Sequence, residues 1–160
     1  MKILAIDPGT TSSGVVVYCS QEKLVLWATK ALENNEVLAL ISKVGAGAST
    51  PLPSIVAVER VQAQGLAGND VLKTAEWSAR FVQSAECFGL PFRWHYRREV
   101  CRHLDVSGGK KDSQVRERCI ELHGGDKSAA VGVKKSPGPL YGVSGHAWQA
   151  LGLALLVADI

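Results

Sequence analysis

Four residues scattered along the chain could do chemistry together. Asp7 closes the apolar run Ile3-Leu4-Ala5-Ile6 and is followed by Pro8-Gly9, a turn signal, so its carboxylate stands where a buried strand runs out. Glu59 closes a second such run, Ile55-Val56-Ala57-Val58. If the two runs are parallel neighbours, both acids reach one edge of a sheet, where like charges repel unless a cation lies between them. A divalent metal ion is the usual answer. The competing reading is that Glu59 pairs with Arg60 or another arginine at the surface. His146 and Gln149 are three residues apart, so on a helix both face one point. A histidine placed so is more often structural than a ligand, unless acids converge on the same place.

Other residues suit phosphate. Ser107-Gly108-Gly109-Lys110-Lys111 is glycine-rich and basic and leads into a helical pattern, where backbone amides and lysines favour an anion; a flexible connector is the alternative. His95-Tyr96-Arg97-Arg98 combines aromatic and guanidinium groups that can grip a nucleic-acid backbone and stack on bases, or that make an ordinary polar sheet edge. Lys127, Lys134 and Lys135 fall in 124–145, the longest stretch without periodicity, which reads as a mobile binding loop.

The elements needed to position these groups are legible in the pattern. Runs at 2–6, 14–18 and 24–28 form an antiparallel meander, a helix spans 33–44, and the strand at 54–59 returns parallel to the first by a right-handed crossover. A helix at 71–88, a strand at 90–96 and a helix at 112–122 follow, and a buried helix at 145–157 closes the chain with Ser144 as its cap. The expected fold is α/β: a mixed sheet, antiparallel meander plus parallel strands, flanked by helices.

With 160 residues, 46% of them hydrophobic, the chain can bury one sizeable core and is expected to be a single domain over 1–160. The net charge of +3 suits a polyanionic partner without requiring one. Cys19, Cys87, Cys101 and Cys119 lack paired metal spacing and read as reduced thiols. No leader pattern opens the sequence, and the longest apolar run, 150–158, is too short to span a bilayer; a soluble, cytoplasmic protein with no membrane partner is expected.

AIDPGTTSSG at 5–14, VAVERV at 56–61, KKDSQVRERC at 110–119 and GHAWQALGLAL at 145–155 together resemble the RuvC-like Holliday junction resolvases, above all the short versions of bacteriophages and prophages. The resemblance covers nearly the whole chain, in order. It implies a ribonuclease H-like fold, a homodimer, and two-metal, Mg²⁺-dependent, paired symmetric cutting of a four-way DNA junction that leaves 5′-phosphates and 3′-hydroxyls. It makes Asp7 the carboxylate that bridges the metals and Glu59 the second one. His146 falls where many members have aspartate and some histidine. Gln149 falls where a fourth acid is familiar, a departure, although its carbonyl oxygen can still touch a metal or water. Lys110 and Lys111 fall near the family's phosphate-contacting lysine; the spacing does not fix which corresponds, and Lys111 is preferred.

With imidazole in the set, Mn²⁺ is expected to be usable or preferred. Arg97, Arg98, Lys134 and Lys135 are the further expected DNA contacts, and the helix at 71–88, with an exposed Trp77, the expected dimer contact. Two alternatives stay open. One is a non-catalytic branched-DNA-binding protein, given the missing acid. The other is an ATP-binding domain of the actin-like or sugar-kinase type, whose first phosphate loop Asp7-Pro8-Gly9-Thr10-Thr11-Ser12 also resembles.

Overall fold

The computed structural model describes residues 1–48, 52–63, 65–107 and 112–159. The first three apolar runs pair as an antiparallel meander, β1 (Lys2–Asp7), β2 (Ser12–Cys19) and β3 (Leu24–Glu33). Helix α1 (Asn34–Gly45) carries the chain across to β4 (Ile55–Arg60), which lies parallel to β1 with Ile6 opposite Val58. Helix α2 (Asn69–Cys87) then leads to β5 (Phe92–Tyr96), parallel to β4. The resulting order, β3-β2-β1-β4-β5, puts β1 in the middle and β4 beside it. Helices α3 (Arg97–His103), α4 (Asp112–Leu122), α5 (Lys127–Ala130) and α6 (Ala147–Ala158) complete the chain, with a small hairpin, β6 (Gly132–Val133) and β7 (Ser136–Pro137), before α6. This is the ribonuclease H-like α/β fold expected from the sequence.

Each face of the sheet has its own core, and strand alternation decides which residue goes where. Leu4, Ile6, Val56 and Val58 pack against Val37 and Ile41 of α1 and Phe81 and Ala85 of α2. The residues between them, Ile3 and Ala5 in β1 and Ile55 and Ala57 in β4, belong to the other core, with Leu151, Leu153 and Ala154 of α6. Continuing that alternation by one step puts Asp7 and Glu59 on the α6 side, at the end of the apolar surface. Helix α6 is buried on nearly all sides, as its composition demands, with α3 and α4 over its outer face. Gly152 permits the approach, because a Cβ there would lie 2.9 Å from Val115 Cγ1.

The structure departs from the sequence expectations in four places. The sequence pattern predicts no helix over 97–103, where α3 forms. The segment 124–145 is built rather than featureless: Asp126 caps α5 by accepting from the Ala129 amide at 3.0 Å, and the β6–β7 hairpin follows. Ser144 does not cap α6 with its hydroxyl; its carbonyl and that of Gly145 accept the Ala147 and Trp148 amides instead, and His146 occupies the cap position. Trp77 is half-buried, its ring 5.8 Å from that of Phe81. Among the described residues no helix is long and apolar enough to cross a membrane.

Candidate metal and nucleic-acid site

The turn after β1 is clamped from below. Ser13 Oγ donates to Asn34 Oδ1 at 2.6 Å, Asn34 Nδ2 donates to the Gly9 carbonyl at 3.0 Å, and the Gly9 amide donates back to Ser13 Oγ at 3.4 Å. Ser13 and Asn34 are both buried, so each bond removes a desolvation cost of roughly 1–3 kcal/mol that an unmet partner would impose. This fixes the backbone immediately after Asp7. The carboxylate itself is 14% exposed and lies 3.4 Å from His146 Nδ1.

Glu59, on the neighbouring strand, is equally sheltered at 14%, and its Oε2 accepts from Arg97 Nη1 at 3.2 Å. Arg97 is the first residue of α3, which begins where Glu99 accepts the Tyr96 amide at 2.7 Å, and the turn sends the guanidinium back over the acids. Its other end, Nη2, donates to Asp112 Oδ1 at 2.7 Å. One guanidinium thus serves two carboxylates with a third, Asp7, close by. Burial and the charge of Asp7 push Glu59 up to about 7 from its ordinary 4.5, and Arg97 offsets this only in part. The site is short of positive charge. The expectation that an arginine pairs with Glu59 holds as well, except that the partner is Arg97, inside, rather than Arg60. His95 lies opposite Glu59 in the register of β4 and β5; its Nδ1 is 3.2 Å from Glu99 Oε1, and its Nε2 is buried without a partner among the described residues.

His146 and Gln149 enter from the start of α6. Gly14, opposite Asp7 in β2, makes this possible: a Cβ there would sit 2.5 Å from the carbonyl carbon and oxygen of His146. The His146 ring is 72% exposed, and its hydrogen bond to Asp7 raises its pKa above the ordinary 6.5 despite partial burial. Gln149 is 3% exposed; its Nε2 donates to the Asp112 carbonyl at 3.4 Å, and its Oε1 has no partner among the described residues. Both line a cleft of about 380 Å³ with Asp112, Arg116 and Trp148.

These residues fit a hard cation. Two sheltered carboxylates converge, one of them held protonatable near neutrality, and a buried amide oxygen is left unsatisfied. They do not yet form a closed ligand set: among the described residues no three His, Cys, Asp or Glu side chains cluster tightly enough to hold an ion. The Arg97 guanidinium lies between two of the acids.

The expected DNA contacts are dispersed. Arg97 is engaged within the site. Arg98 is exposed and lies over the Tyr96 ring at 5.0 Å; Arg60 lies over Tyr96 and Trp94 at 4.9 and 4.5 Å. Lys134 and Lys135 form the exposed tip of the β6–β7 hairpin, whose exit is tied at Pro139 to the Val25 amide at the start of β3, the end of the sheet away from Asp7. Lys110 and Lys111 lie outside the described residues. The sequence gives Asp112 no role beyond starting the helix at 112–122, and it offers Arg97 as a DNA contact. The need for a cation beside the two acids was legible, but not that Arg97 would supply it.

No protein-family model and no curated protein matches the chain. Among solved structures it is similar to Thermus thermophilus RuvC, at 21% identity over 98% of this chain and 92% of that one, with a TM-score of 0.63. T. thermophilus RuvC in complex with a Holliday junction substrate gives 20% identity, the same coverage and a TM-score of 0.62. At such identities the likeness establishes the shared fold.

Proposed function

We propose that the chain is a metal-dependent, structure-specific endodeoxyribonuclease that resolves four-way DNA junctions by paired, symmetric cuts. The observation that carries this reading is the pairing of Asp7 and Glu59 at the ends of adjacent parallel strands, with too little positive charge between them. The fold shared with RuvC along 98% of the chain supports it. Asp7, Glu59 and His146 would hold the ions, with the Gln149 carbonyl oxygen beside them. Divalent ions, two in this reading, Mg²⁺ or Mn²⁺, neutralise phosphate charge and activate water when bound.

The remaining work falls to the chain. Asp7 and Glu59, on a rigid sheet, fix where that charge sits. His146 can hold a proton at Nδ1 against Asp7 and release it as pH rises. Arg116 and Trp148 line the cleft through which a strand would approach. Lys111, or Lys110, would neutralise charge developing on the scissile phosphate, and Arg98, Lys134 and Lys135 would hold the backbone without reading sequence. Two like cuts need two sites, which a two-fold homodimer through α2 supplies.

The test is a labelled synthetic four-way junction incubated with Mg²⁺ or Mn²⁺ beside an Asp7→Asn control. Paired cuts that vanish in the control support the reading. Tight junction binding without cutting in either metal would favour the second reading, a non-catalytic branched-DNA-binding protein, for which Gln149 in place of an acid and the lack of a closed three-ligand cluster among the described residues both speak.

A further inference from the structure

Arg97 and Asp112 form a bridge over Glu59 that neither DNA contact nor the helix start requires. A single guanidinium is divided between Glu59 Oε2, 3.2 Å from Nη1, and Asp112 Oδ1, 2.7 Å from Nη2. Asp112 is also joined to Gln149, through its backbone carbonyl. That bond fixes the direction of the glutamine amide. A carbonyl can only accept, so Nε2 must face it and Oε1 must face the other way. Oε1 is consequently buried with no partner to accept from among the described residues. Gln149, Asp112 and His146 share the same cleft.

We propose that Asp112 is the third carboxylate of the ion site, supplying the acid that Gln149 lacks, and that Arg97 is a resident counterion which gives up its bridge when the ion enters. The inference rests on the metal-dependent reading above. Three features carry it. Asp112 is 71% exposed, so its side chain is free to re-aim without repacking the core. The arginine cannot shed its charge, so it satisfies Glu59 and Asp112 as a cation would and is replaced only by a better one. The Gln149 oxygen, unpartnered among the described residues and oriented through the Asp112 carbonyl, offers a neutral donor to the ion or its water from the same cleft. Asp112 also opens α4, and Gly152 lets α4 lie against α6, so the packing that buries α6 delivers the acid.

Mn²⁺ binding to the full chain without DNA, followed by electron paramagnetic resonance, tests this apart from cutting. Asp112→Asn should weaken binding about tenfold or more, Asp112→Glu should restore part of it, and Arg97→Gln should tighten it several-fold as a competitor is removed. Asp112 could instead act only by restraining Arg97, so the deciding variant carries both changes. If Asp112 ligates, its loss weakens Mn²⁺ in the Arg97→Gln background as well. If Asp112→Asn has no effect there, the inference is overturned. Should Arg97→Gln fail to fold, Arg97→Lys serves in the same comparison, and ion-free melting temperatures separate misfolding from lost ligation. A wild-type chain that binds no Mn²⁺ sinks the metal-dependent reading and this inference together. Wild-type binding indifferent to Asp112 sinks this inference alone.

Discussion

Helix α6 has a polar cluster at each end, and the two are built on opposite terms. At its far end Tyr18 Oη lies 3.0 Å from His123 Nε2, and His123 Nδ1 donates to the Cys119 carbonyl at 2.8 Å. The tautomer follows: Nδ1 carries the hydrogen, Nε2 accepts from the tyrosine, and no valence is left open. Burial holds His123 neutral, its pKa below the ordinary value, and pushes Tyr18 up to about 12. At the near end Gln149 Oε1 and His95 Nε2 have no partners among the described residues, and Glu59 is poised near neutrality. A hollow is present at both ends, about 280 Å³ beside Tyr18 and about 380 Å³ beside Gln149, so a cleft alone does not mark the site. What distinguishes the near end is polar demand that the chain does not itself meet. Closed networks stabilise; open ones bind.

The largest effect should come from removing the charge at the open end. Asp7→Asn is expected to lower junction cutting by roughly 10²–10³-fold or more while leaving junction binding intact or improved, since the phosphates meet one negative charge fewer. Gel-based cleavage and binding assays on one preparation measure both, and retained cutting would remove Asp7 from the site. Tyr18→Phe, at the closed end, should leave cutting unchanged.

Stability should respond to pH in opposite senses at the two ends: His123, held neutral by burial, costs stability as pH falls below its ordinary 6.5, whereas Glu59 costs it as pH rises. In the ion-free protein Glu59 titrates near 7, against 4.5 ordinarily, so between those values the folded chain keeps a proton that the unfolded chain has lost. Its contribution is fully present below about 4.5 and is lost as pH rises through about 7, by about 3 kcal/mol at most. Urea melts at pH 5 and pH 8 should contain this fall, saturating Mn²⁺ should flatten it, and the Glu59→Gln profile should differ from the wild type by this share. A slope unaltered by either would mean that Glu59 is not the group responsible.

Backbone space gives a smaller contrast. Gly14→Ala forces a Cβ against the His146 carbonyl, so α6 must shift at its start, at a cost of about 1–3 kcal/mol and with reduced cutting. Tyr18→Phe leaves His123 Nε2 buried and unsatisfied, about 1–2 kcal/mol, without touching the site. Equal activity losses in the two variants would show that the ends of α6 are not independent.

The sequence made Asp7 and Glu59 legible because an acid that terminates an apolar run breaks a strong pattern, and the parallel return of β4 follows from crossover handedness. The buried closing helix was legible from composition alone. Helix α3 was not, since seven residues are too few for a helical period to register. Arg97 therefore looked like one of two outward arginines, when the turn into α3 sends it inward and leaves Arg98 outside. Asp112 reads in any sequence as an acid complementing a helix N-terminus; its hydrogen-bonded link to Glu59 runs through Arg97, fifteen residues earlier in the chain. Asn34 and Gly14 act through contacts made after folding, a clamp on one turn and a space for one carbonyl, and no local pattern announces either.

The smallest effect concerns which ion the open end prefers. Imidazole favours transition metals over Mg²⁺, and His146 stands against Asp7 where a further acid would favour the harder ion. Mn²⁺ should therefore support more cutting than Mg²⁺ at limiting concentration, by less than about tenfold because the histidine is well exposed and contributes one donor. The hydrogen bond to Asp7 favours the imidazolium, so His146 keeps its proton to a higher pH than an ordinary histidine. An ion must displace that proton, and as pH falls through a value above 6.5 the imidazolium can no longer ligate. Activity at limiting metal should decline over that range, and earlier on acidification than an unperturbed histidine would allow. His146→Asp should narrow the Mn²⁺ preference and move the decline to lower pH, because a carboxylate holds its charge there. Gln149→Asp, beside it, should lower the Mg²⁺ concentration needed for half activity by adding a further carboxylate. Titrating both ions against both variants at pH 6.5 and 8 decides the matter. If His146→Asp leaves the Mn²⁺-to-Mg²⁺ ratio and the pH profile as they were, His146 only begins the last helix, and the open end of α6 is completed by other groups.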